Sequence, residues 1–395
     1  MTGAEPIRVA MLHGPGRPEH DGVSDYVAHL IDALGGVDVD AVGVPVRPTG
    51  PPVPGRWWRA TGTAVRQVRR LRPDLVHVQF APSAYRFSGL PGLLPFRLPG
   101  TVPLVTTVHE YGWWAVPAWL PRPLWSAVER CRRWDRETGR LVPASSAVVV
   151  TNPEHGRAVQ RRLGVPVVRV PIAPNVDVRH AAPDARARAR ADLGLPPDVP
   201  ALVFFGFVHP VKGVRQLIEA LPALRTGRGD LRLLVVGGFT SQALPEDEAR
   251  AFHAELTGLA RRHAVDAAVH FTGHLPAERV SAALCAADVA VLPFTAGVTT
   301  KSGALLTVLA HGLPTAVTEP DGGDPELRDS GAVALIPARR DPAAIVRTVG
   351  GLLDDPGLRA RLSERGRRFA RERSWPRVAE AHRRIYEQVL GRGGD

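Results

Sequence analysis

The sequence is poor in several residue types, and each shortage narrows the range of functions. Its 395 residues include only two cysteines, Cys131 and Cys285, which lie far apart and in no spacing with histidines that resembles a zinc site. We therefore expect buried free thiols in a reducing compartment and no metal centre. Long apolar runs are also missing, which excludes a membrane-spanning helix. The first residues, Met1 to Pro6, lack the charged start and apolar core of a secretory signal, so we expect a cytoplasmic protein.

The net charge of +11 raises the question of nucleic-acid binding. The arginines are spread along the chain, and many alternate with acids in helical patterns such as Glu364 to Arg368. No nucleic-acid recognition motif accompanies them. We therefore predict no nucleic-acid partner, and we expect the excess charge to attract anions in general, including sugar nucleotides and acidic lipid surfaces.

Apolar strand patterns alternate with amphipathic helical patterns through almost the entire chain, which predicts an α/β protein with parallel sheets covered by helices. The alternation is interrupted at Ala173 to Asp177 and restarts with the strand Ala201 to Phe205. We therefore predict two doubly wound, Rossmann-like domains of similar size, with a boundary near residue 178. Such sheets bind ligands beyond the carboxyl ends of their strands, so two facing domains imply a ligand cleft.

Lysine is almost absent, although lysine and arginine together number 50, and both lysines fall in segments suited to holding phosphate. Lys212 follows the predicted strand that ends at Phe205 and precedes a helical pattern. The second lysine also precedes a helical pattern, in a run of small and hydroxyl residues: Thr299, Thr300, Lys301, Ser302 and Gly303. Helix starts attract anions through unpaired N–H groups and the macrodipole, so the two segments predict a clamp on a diphosphate. Ordinary capping of both helices by serine and threonine is the alternative.

The first half of the chain has candidate site residues at matching positions. Gly22 follows the first predicted strand and begins a helical pattern, where a missing side chain lets a ligand approach the backbone. His109 and Glu110 lie directly after the strand that ends at Val108. A histidine at that edge can hydrogen-bond a sugar hydroxyl or transfer a proton, and a histidine satisfied within the core is the alternative.

Tryptophans cluster just after His109: Trp113, Trp114, Trp119 and Trp125. Their rings could form an acceptor pocket by stacking on a ring or a sugar face, and we assign Trp113 and Trp114, with Glu110, to acceptor binding. One alternative is a helix that packs on the domain through these rings. Another is peripheral contact with a membrane surface, made together with the nearby arginines Arg122, Arg130, Arg132 and Arg133.

Nine segments follow one another in an order and spacing that identify a family. They are Asp21 to Tyr26, Arg72 to His77, Thr106 to Glu110, Pro174 to Asp177, Gly206 to Gly213, Ala287 to Val289, Ala310 to Pro314, Gly322-Gly323 and Arg373 to Trp375. Nearly end to end, the chain resembles the retaining glycosyltransferases of family 4, which have the two-domain GT-B fold. Other enzymes of that fold, such as nucleotide-sugar epimerases and sugar phosphorylases, and a non-catalytic scaffold are the alternatives.

The resemblance implies an acceptor-binding domain over residues 1–178 and a nucleotide-sugar-binding domain over residues 179–375, with the last helix, about 376–395, packed back on the first. It implies transfer of a sugar from a UDP- or GDP-sugar to a small-molecule, lipid or glycan acceptor with retention of anomeric configuration. A secondary-metabolite acceptor would place the enzyme in natural product biosynthesis. No metal or other cofactor is implied, since lysine and the helix starts take the place of a cation.

The resemblance also assigns roles to single residues. Lys212 would neutralise the leaving diphosphate, an electrostatic task that grows in the transition state. His109 would contact the transferred sugar, and the backbone of Gly22 and of Ser302-Gly303 would offer N–H groups to phosphate or sugar. The segment beside the nucleotide base would be Thr272, Gly273 and His274.

The chain departs from the family pattern at three positions. Thr299 and Thr307 stand where the family often has glutamates, which usually meet the sugar and the ribose, respectively. Phe207 stands where the family has an arginine, and His209 and Lys301 are the candidates to replace its charge. These changes fit an unusual donor, weak donor binding or an inactive scaffold.

Overall fold

The computed structural model describes residues 5–18, 21–50, 53–116, 121–179, 184–240 and 244–392. The chain divides into two units, one formed by Met1–Ile172 with Trp375–Asp395 and the other by Ala173–Ser374. None of the helices in the described ranges is both long enough and apolar enough to cross a membrane.

The first unit contains a six-stranded sheet in which all neighbouring strands are parallel. Its strands are β1 Ile7–His13, β2 Val39–Pro45, β3 Leu75–Phe80, β4 Leu104–Val108, β5 Ala147–Val150 and β6 Val168–Arg169. Every residue of β3 and of β4 is buried, as expected for parallel strands covered on both faces. The strand order is β2-β1-β3-β4-β5-β6, so the direction of winding reverses between β1 and β3.

Five helices follow the strands of the first unit: α1 Gly22–Gly35, α2 Pro54–Leu71, α3 Arg122–Arg130, α4 Leu141–Ala144 and α5 Pro153–Leu163. Helix α1 begins where the Asp21 carboxylate accepts the N–H groups of Val23 and Ser24. The central core lies between α2 and the sheet, with Trp57, Phe80 and Tyr85 among its largest buried side chains.

The second unit repeats the architecture with six further parallel strands. They are β7 Ala201–Phe205, β8 Arg232–Val236, β9 Val269–Gly273, β10 Val289–Leu292, β11 Thr315–Thr318 and β12 Ala334–Ile336. Its helices are α6 Ala185–Asp192, α7 Val214–Arg225, α8 Glu246–Arg262, α9 Ala277–Ala286, α10 Gly303–Ala310, α11 Pro325–Ser330, α12 Pro342–Asp354 and α13 Pro356–Arg371. The order β12-β11-β10-β7-β8-β9 reverses between β7 and β10. The predicted pair of doubly wound α/β units is therefore confirmed.

The last helix, α14 Trp375–Val389, follows the second unit in sequence but belongs to the first. The Trp375 ring stacks on the His29 ring of α1, with centroids 5.2 Å apart. Arg383 of α14 approaches Asp38 to 3.5 Å. The buried face of α14 carries His382 and Tyr386, two polar side chains that reach into the interior of the first unit.

The two cysteines are free thiols, but their expected burial is wrong. Cys131 is exposed because it is the residue that ends α3, beyond the last turn that packs on the unit. Cys285 of α9 is half-buried.

Candidate active site

Lys212 lies at the carboxyl end of β7, beside the point where the winding of the second sheet reverses. It ends a 3₁₀ turn, and its Nζ lies 3.8 Å from the centroid of the buried Phe294 ring, just beyond β10. Gly213 follows with a φ of 72°. A Cβ at this position would lie 1.8 Å from the Pro293 carbonyl oxygen, so only glycine permits the close approach of the two loops. The two strands on either side of the reversal thus fix the ammonium group between them.

The Lys212 ammonium is poorly solvated. Burial, with the positive charge of Lys301 adding to it, lowers the pKa of Lys212 from 10.5 to about 8. Within the described ranges no acidic side chain forms an ion pair with Lys212. The structure therefore brings the charges of the two lysines close enough to repel one another, and an anion bound there would relieve this repulsion.

The second lysine segment is built around the start of α10. Lys301 is exposed, Thr299 is half-buried, and the Ser302 hydroxyl accepts the N–H of Leu305 at 3.2 Å, as a helix cap does. The predicted capping alternative therefore holds for Ser302. The space over Gly303 is filled by the Asn175 side chain, since a Cβ on the glycine would lie 2.3 Å from Asn175 Oδ1.

The two buried threonines of this region, Thr300 and Thr307, form hydrogen bonds within the protein. The backbone N–H of Thr300 donates to Asp324 Oδ2 at 2.9 Å, while its hydroxyl is buried and meets no partner in the described ranges. The Thr307 hydroxyl, which is fully buried, accepts the backbone N–H of Asn175 at 3.1 Å. The predicted donor contacts of Thr299, Thr300 and Thr307 stay predictions.

The predicted base-side segment lies at the same edge of the second sheet as Lys212. Gly237, directly after β8, lies so close to Gly206, directly after β7, that a Cβ on Gly237 would lie 2.0 Å from the Gly206 carbonyl oxygen. Thr272 donates its hydroxyl to the Gly273 carbonyl at 2.9 Å, and His274 is exposed just beyond. His209 stays at the start of the Lys212 turn, where its Nδ1 accepts the N–H of Val211 at 3.3 Å.

In the first unit, His109 occupies the carboxyl end of β4, as predicted. Its backbone N–H donates to the Phe80 carbonyl at 2.8 Å, which ties it to the end of β3. Its Nε2 lies 2.8 Å from Gln79 Oε1, and the Tyr26 ring meets it edge-on with centroids 4.9 Å apart. An amide oxygen can only accept, so Nε2 carries the proton and Nδ1 keeps its lone pair. No group in the described ranges hydrogen-bonds Nδ1.

Burial is the main reason that the His109 pKa falls to about 3, and the neighbouring His155 and His382 lower it further. His109 is therefore neutral over the physiological range. A neutral imidazole with a free lone pair is suited to accept a hydrogen bond from a hydroxyl, and it is a weak base for proton abstraction.

The predicted acceptor residues form an exposed aromatic cluster near Glu110. Trp113 is 61% exposed and Trp114 is half-buried, and each ring meets Phe87 edge-on, at centroid distances of 5.9 Å and 6.2 Å. Glu110 is held in place by the Ser83 hydroxyl, which donates to Oε2 at 2.9 Å. Trp125 belongs instead to the buried core, and Trp119 lies outside the described residues.

Gly22 is exposed at the first turn of α1, and nothing lies within 4 Å of the position that a Cβ would take. Sequence reasoning overlooked the two preceding glycines. A Cβ at Gly14 would lie 2.1 Å from the Ala84 carbonyl oxygen, and one at Gly16 would lie 2.5 Å from Asp21 Oδ2. The Gly14-Pro15-Gly16 pattern after β1 was the available signal for this close packing.

The comparisons with known proteins agree with this organisation. A family model described as Glycosyltransferase Family 4 matches residues 7–177, and one described as Glycosyl transferases group 1 matches residues 199–355. A D-inositol 3-phosphate glycosyltransferase of Streptomyces bingchenggensis is 26% identical over 98% of this chain and 91% of its own length. A solved glycosyltransferase from Rickettsia africae superposes with a TM-score of 0.73 at 12% identity, over 99% of this chain and 100% of its own. Sucrose-phosphate synthase from Thermosynechococcus elongatus superposes with a TM-score of 0.71 at 19% identity, over 98% of this chain and 100% of its own.

The fold is therefore that of the GT-B glycosyltransferases, as expected from the resemblance. The two family models together cover both units, and the chain belongs to glycosyltransferase family 4. It is a glycosyltransferase enzyme.

Proposed function

We propose that the sugar donor is a nucleoside-diphosphate sugar, UDP- or GDP-linked, whose diphosphate binds against Lys212 in the second unit. The observation that carries the proposal is the Lys212 ammonium at the winding reversal of the sheet, which forms no ion pair with any acid in the described part of the chain. Desolvation and the charge of Lys301 make the bare site unfavourable for a cation, and a diphosphate would remove that penalty. Open α/β sheets bind their ligands at this position.

The reaction proposed is cleavage of the bond between the anomeric carbon and the diphosphate oxygen, with a new bond to an acceptor oxygen. Negative charge grows on the leaving phosphate oxygen, and the Lys212 ammonium stabilises it there. The proton of the acceptor hydroxyl ends on the released diphosphate or in solvent. We propose retention of the anomeric configuration, which is what the resemblance to the retaining family implies. We also propose that no metal is needed, since the two lysines supply the positive charge.

His109 is proposed to orient the transferred sugar in the first unit. Its neutral ring leaves Nδ1 free to accept one sugar hydroxyl. A contact of this kind raises turnover when it is stronger in the transition state than in the bound substrate.

For the acceptor we propose a hydroxylated small molecule or glycan that stacks on Trp113 and Trp114, with Glu110 accepting a hydroxyl. The relatives are named for D-inositol 3-phosphate, so inositol phosphates belong among the first acceptors to test. Helix α3 exposes Leu124 and Val128, which extends the range of acceptors to lipid-linked sugars at a membrane surface.

The test is a thermal-shift screen of UDP, GDP, dTDP, ADP and CDP, followed by donor turnover with the matching sugar nucleotide. A ligand that binds only the folded protein raises its melting temperature by mass action. We expect one nucleotide to bind the wild type and to lose most of its shift in Lys212→Met. Equal shifts in both proteins would refute the placement of the diphosphate. Full activity in excess EDTA is expected, and NMR of the anomeric proton of the first-formed product reports retention or inversion.

A further inference from the structure

The loop between β10 and α10 connects the two lysine segments. Near its start, Thr295 donates its backbone N–H to the Val211 carbonyl at 2.9 Å, which ties the loop to the residue before Lys212. Near its end, the loop carries Lys301. Burial is the main cause of the lowered pKa of Lys212, and the charge of Lys301 lowers it further. The position of Lys301 relative to Lys212 therefore depends on what holds the far end of this loop.

The far end of the loop is a β-turn that is held by Asp324. The Ser302 N–H donates to the Thr299 carbonyl at 3.0 Å, which closes the turn with Thr300 and Lys301 at its two central positions. The backbone N–H of Thr300 donates to Asp324 Oδ2 at 2.9 Å. The carboxylate thus binds the residue directly before Lys301. Because a hydrogen bond to an ionised acceptor is stronger than one to a neutral group, this bond is suited to fix the turn.

Asp324 is itself fixed by the residues on either side of it. Its other oxygen, Oδ1, accepts the N–H of Leu327 at 3.1 Å and so caps α11. The preceding Gly322-Gly323 pair has φ values of 77° and 71°, a left-handed backbone that glycine adopts without strain. In the first turn of α11, Glu326 forms an ion pair with the buried Arg373. Each carboxylate oxygen of Asp324 therefore accepts a different N–H group, at the start of an anchored helix.

We propose that Asp324 is a positioning residue for donor binding: it holds the turn that carries Lys301, so that both lysines act on the diphosphate. The inference rests on the placement of the diphosphate proposed above. Asp324 acts through the backbone of the turn and restricts the region that the Lys301 ammonium can reach. Without the bond to Thr300 the turn gains freedom, and binding of the diphosphate has to supply the lost order at a cost in affinity.

The substitution Asp324→Ser separates the two functions of the carboxylate. A serine hydroxyl can still accept the N–H of Leu327 and cap α11, as the Ser302 hydroxyl does at the start of α10. Its single, shorter oxygen cannot also accept the N–H of Thr300. The variant therefore keeps the helix cap and loses the bond to the turn.

The matched control is Asp355→Ser. Asp355 caps α13 in the same way, since its Oδ1 accepts the N–H of Leu358 at 2.8 Å. In the described part of the chain its side chain makes no hydrogen bond to either lysine segment. A change that Asp324→Ser shows and Asp355→Ser lacks is therefore not the effect of a weakened helix cap.

The first measurement needs no ligand. The chain has only two lysines, so labelling with ¹³C-lysine gives two Cε signals, which Lys212→Met and Lys301→Met assign. Titration from about pH 6 to 11 then gives the pKa of Lys212. In Asp324→Ser the turn can move Lys301 away, so we expect the pKa of Lys212 to rise toward its value in Lys301→Met. Loss of the negative charge of Asp324 alone would lower this pKa, so the direction of the shift separates position from charge. Asp355→Ser should leave it unchanged.

The second measurement is calorimetry of binding to UDP and to uridine, or to GDP and guanosine if the screen selects GDP. We expect Asp324→Ser to raise the Kd of the diphosphate about 3- to 10-fold, part of the contribution of one charged contact. The Kd of the nucleoside should stay within about twofold, since it lacks the phosphates. A general loss of structure would weaken both ligands equally. Asp355→Ser should bind both as the wild type does.

A pKa of Lys212 that is unchanged or lower in Asp324→Ser would overturn the inference. So would diphosphate binding that Lys212→Met weakens and Asp324→Ser does not. If Lys212→Met leaves diphosphate binding unchanged, the proposed placement of the diphosphate fails, and the role of Asp324 in donor binding fails with it. If Asp324→Ser does not fold, Thr300→Pro removes the donor of the bond instead of its acceptor, at the second position of the turn, where proline is favoured. The same rise in the pKa of Lys212 is then expected, and its absence would count against the inference.

Discussion

Replacing Lys212 with methionine should abolish most of the activity and at the same time stabilise the ligand-free protein. The ammonium is held where solvent is scarce and where Lys301 repels it, so its removal relieves a cost of folding. Methionine has nearly the same length, and its sulfur can pack on the Phe294 ring in place of Nζ. No cavity is therefore expected.

The size of the gain follows from the pKa of Lys212. A fall from 10.5 to about 8 corresponds to at most about 3 kcal/mol of free energy that opposes folding at neutral pH. Partial solvent exposure of the side chain and the lost cation–π contact with Phe294 reduce this, so we expect a net gain of about 2 kcal/mol. For a unit of this size that is an increase of about 4–8 °C in melting temperature.

The pH dependence has a definite sign. Between pH 8 and pH 10.5 the unfolded lysine binds a proton that the folded one has lost, so the wild type gains stability as the pH rises. The advantage of Lys212→Met over the wild type should therefore be full below pH 8 and about a quarter as large at pH 10. Urea unfolding of both ligand-free proteins at pH 7 and pH 10, followed by circular dichroism, measures this difference in the free energy of unfolding.

Lys301→Met is the matched control, because it removes the other lysine from an exposed position. We expect its stability to stay within about 0.5 kcal/mol of the wild type. Donor turnover should fall about 10²-fold or more in Lys212→Met, the scale of one lost electrostatic contact to a leaving group. A Lys212→Met protein that is less stable than the wild type at pH 7, or one that is fully active, would refute the reasoning.

Three further predictions concern the surroundings of the two candidate catalytic residues. His109→Ala should lower kcat more than it weakens nucleotide binding, as steady-state kinetics and calorimetry would show; the reverse would place the histidine in nucleotide recognition. Thr307→Val should destabilise the protein by about 1–3 kcal/mol in urea unfolding, because the N–H of Asn175 loses its acceptor, and nucleotide affinity should not change. Weaker nucleotide binding at unchanged stability would instead assign Thr307 to binding of the sugar nucleotide. Gly213→Ala should unfold the Lys212 turn, because its Cβ would overlap the Pro293 carbonyl at a φ of 72°, and nucleotide binding should be lost with it; an unchanged thermal shift would contradict this.

The fold was largely accessible from the sequence because parallel sheets leave a strong pattern. Strands buried on both faces are nearly continuous apolar runs, and the helices between them repeat with a different period. The same logic placed Lys212 in the loop after β7 and His109 directly after β4, since such segments lie at the edge of a doubly wound sheet where ligands usually bind. The rarity of lysine was an independent signal; Lys301 lies close enough to lower the pKa of Lys212, and the role of the pair in holding a diphosphate stays a prediction.

The partners of these residues were not accessible, because packing between distant segments chooses them. Tyr386 and His77, which form a hydrogen bond in the interior of the first unit, are 309 positions apart, and in the sequence each fits the periodic pattern of a core position. Thr307 was aligned with a donor-binding glutamate, yet its hydroxyl accepts a backbone N–H that lies 132 residues earlier. In both cases a buried polar group had to be satisfied inside the protein, and the side chain that satisfies it is set by which helix packs on which strand. Strand and helix patterns fix the position of a residue along its element, whereas its proton and its hydrogen bonds depend on the element packed against it.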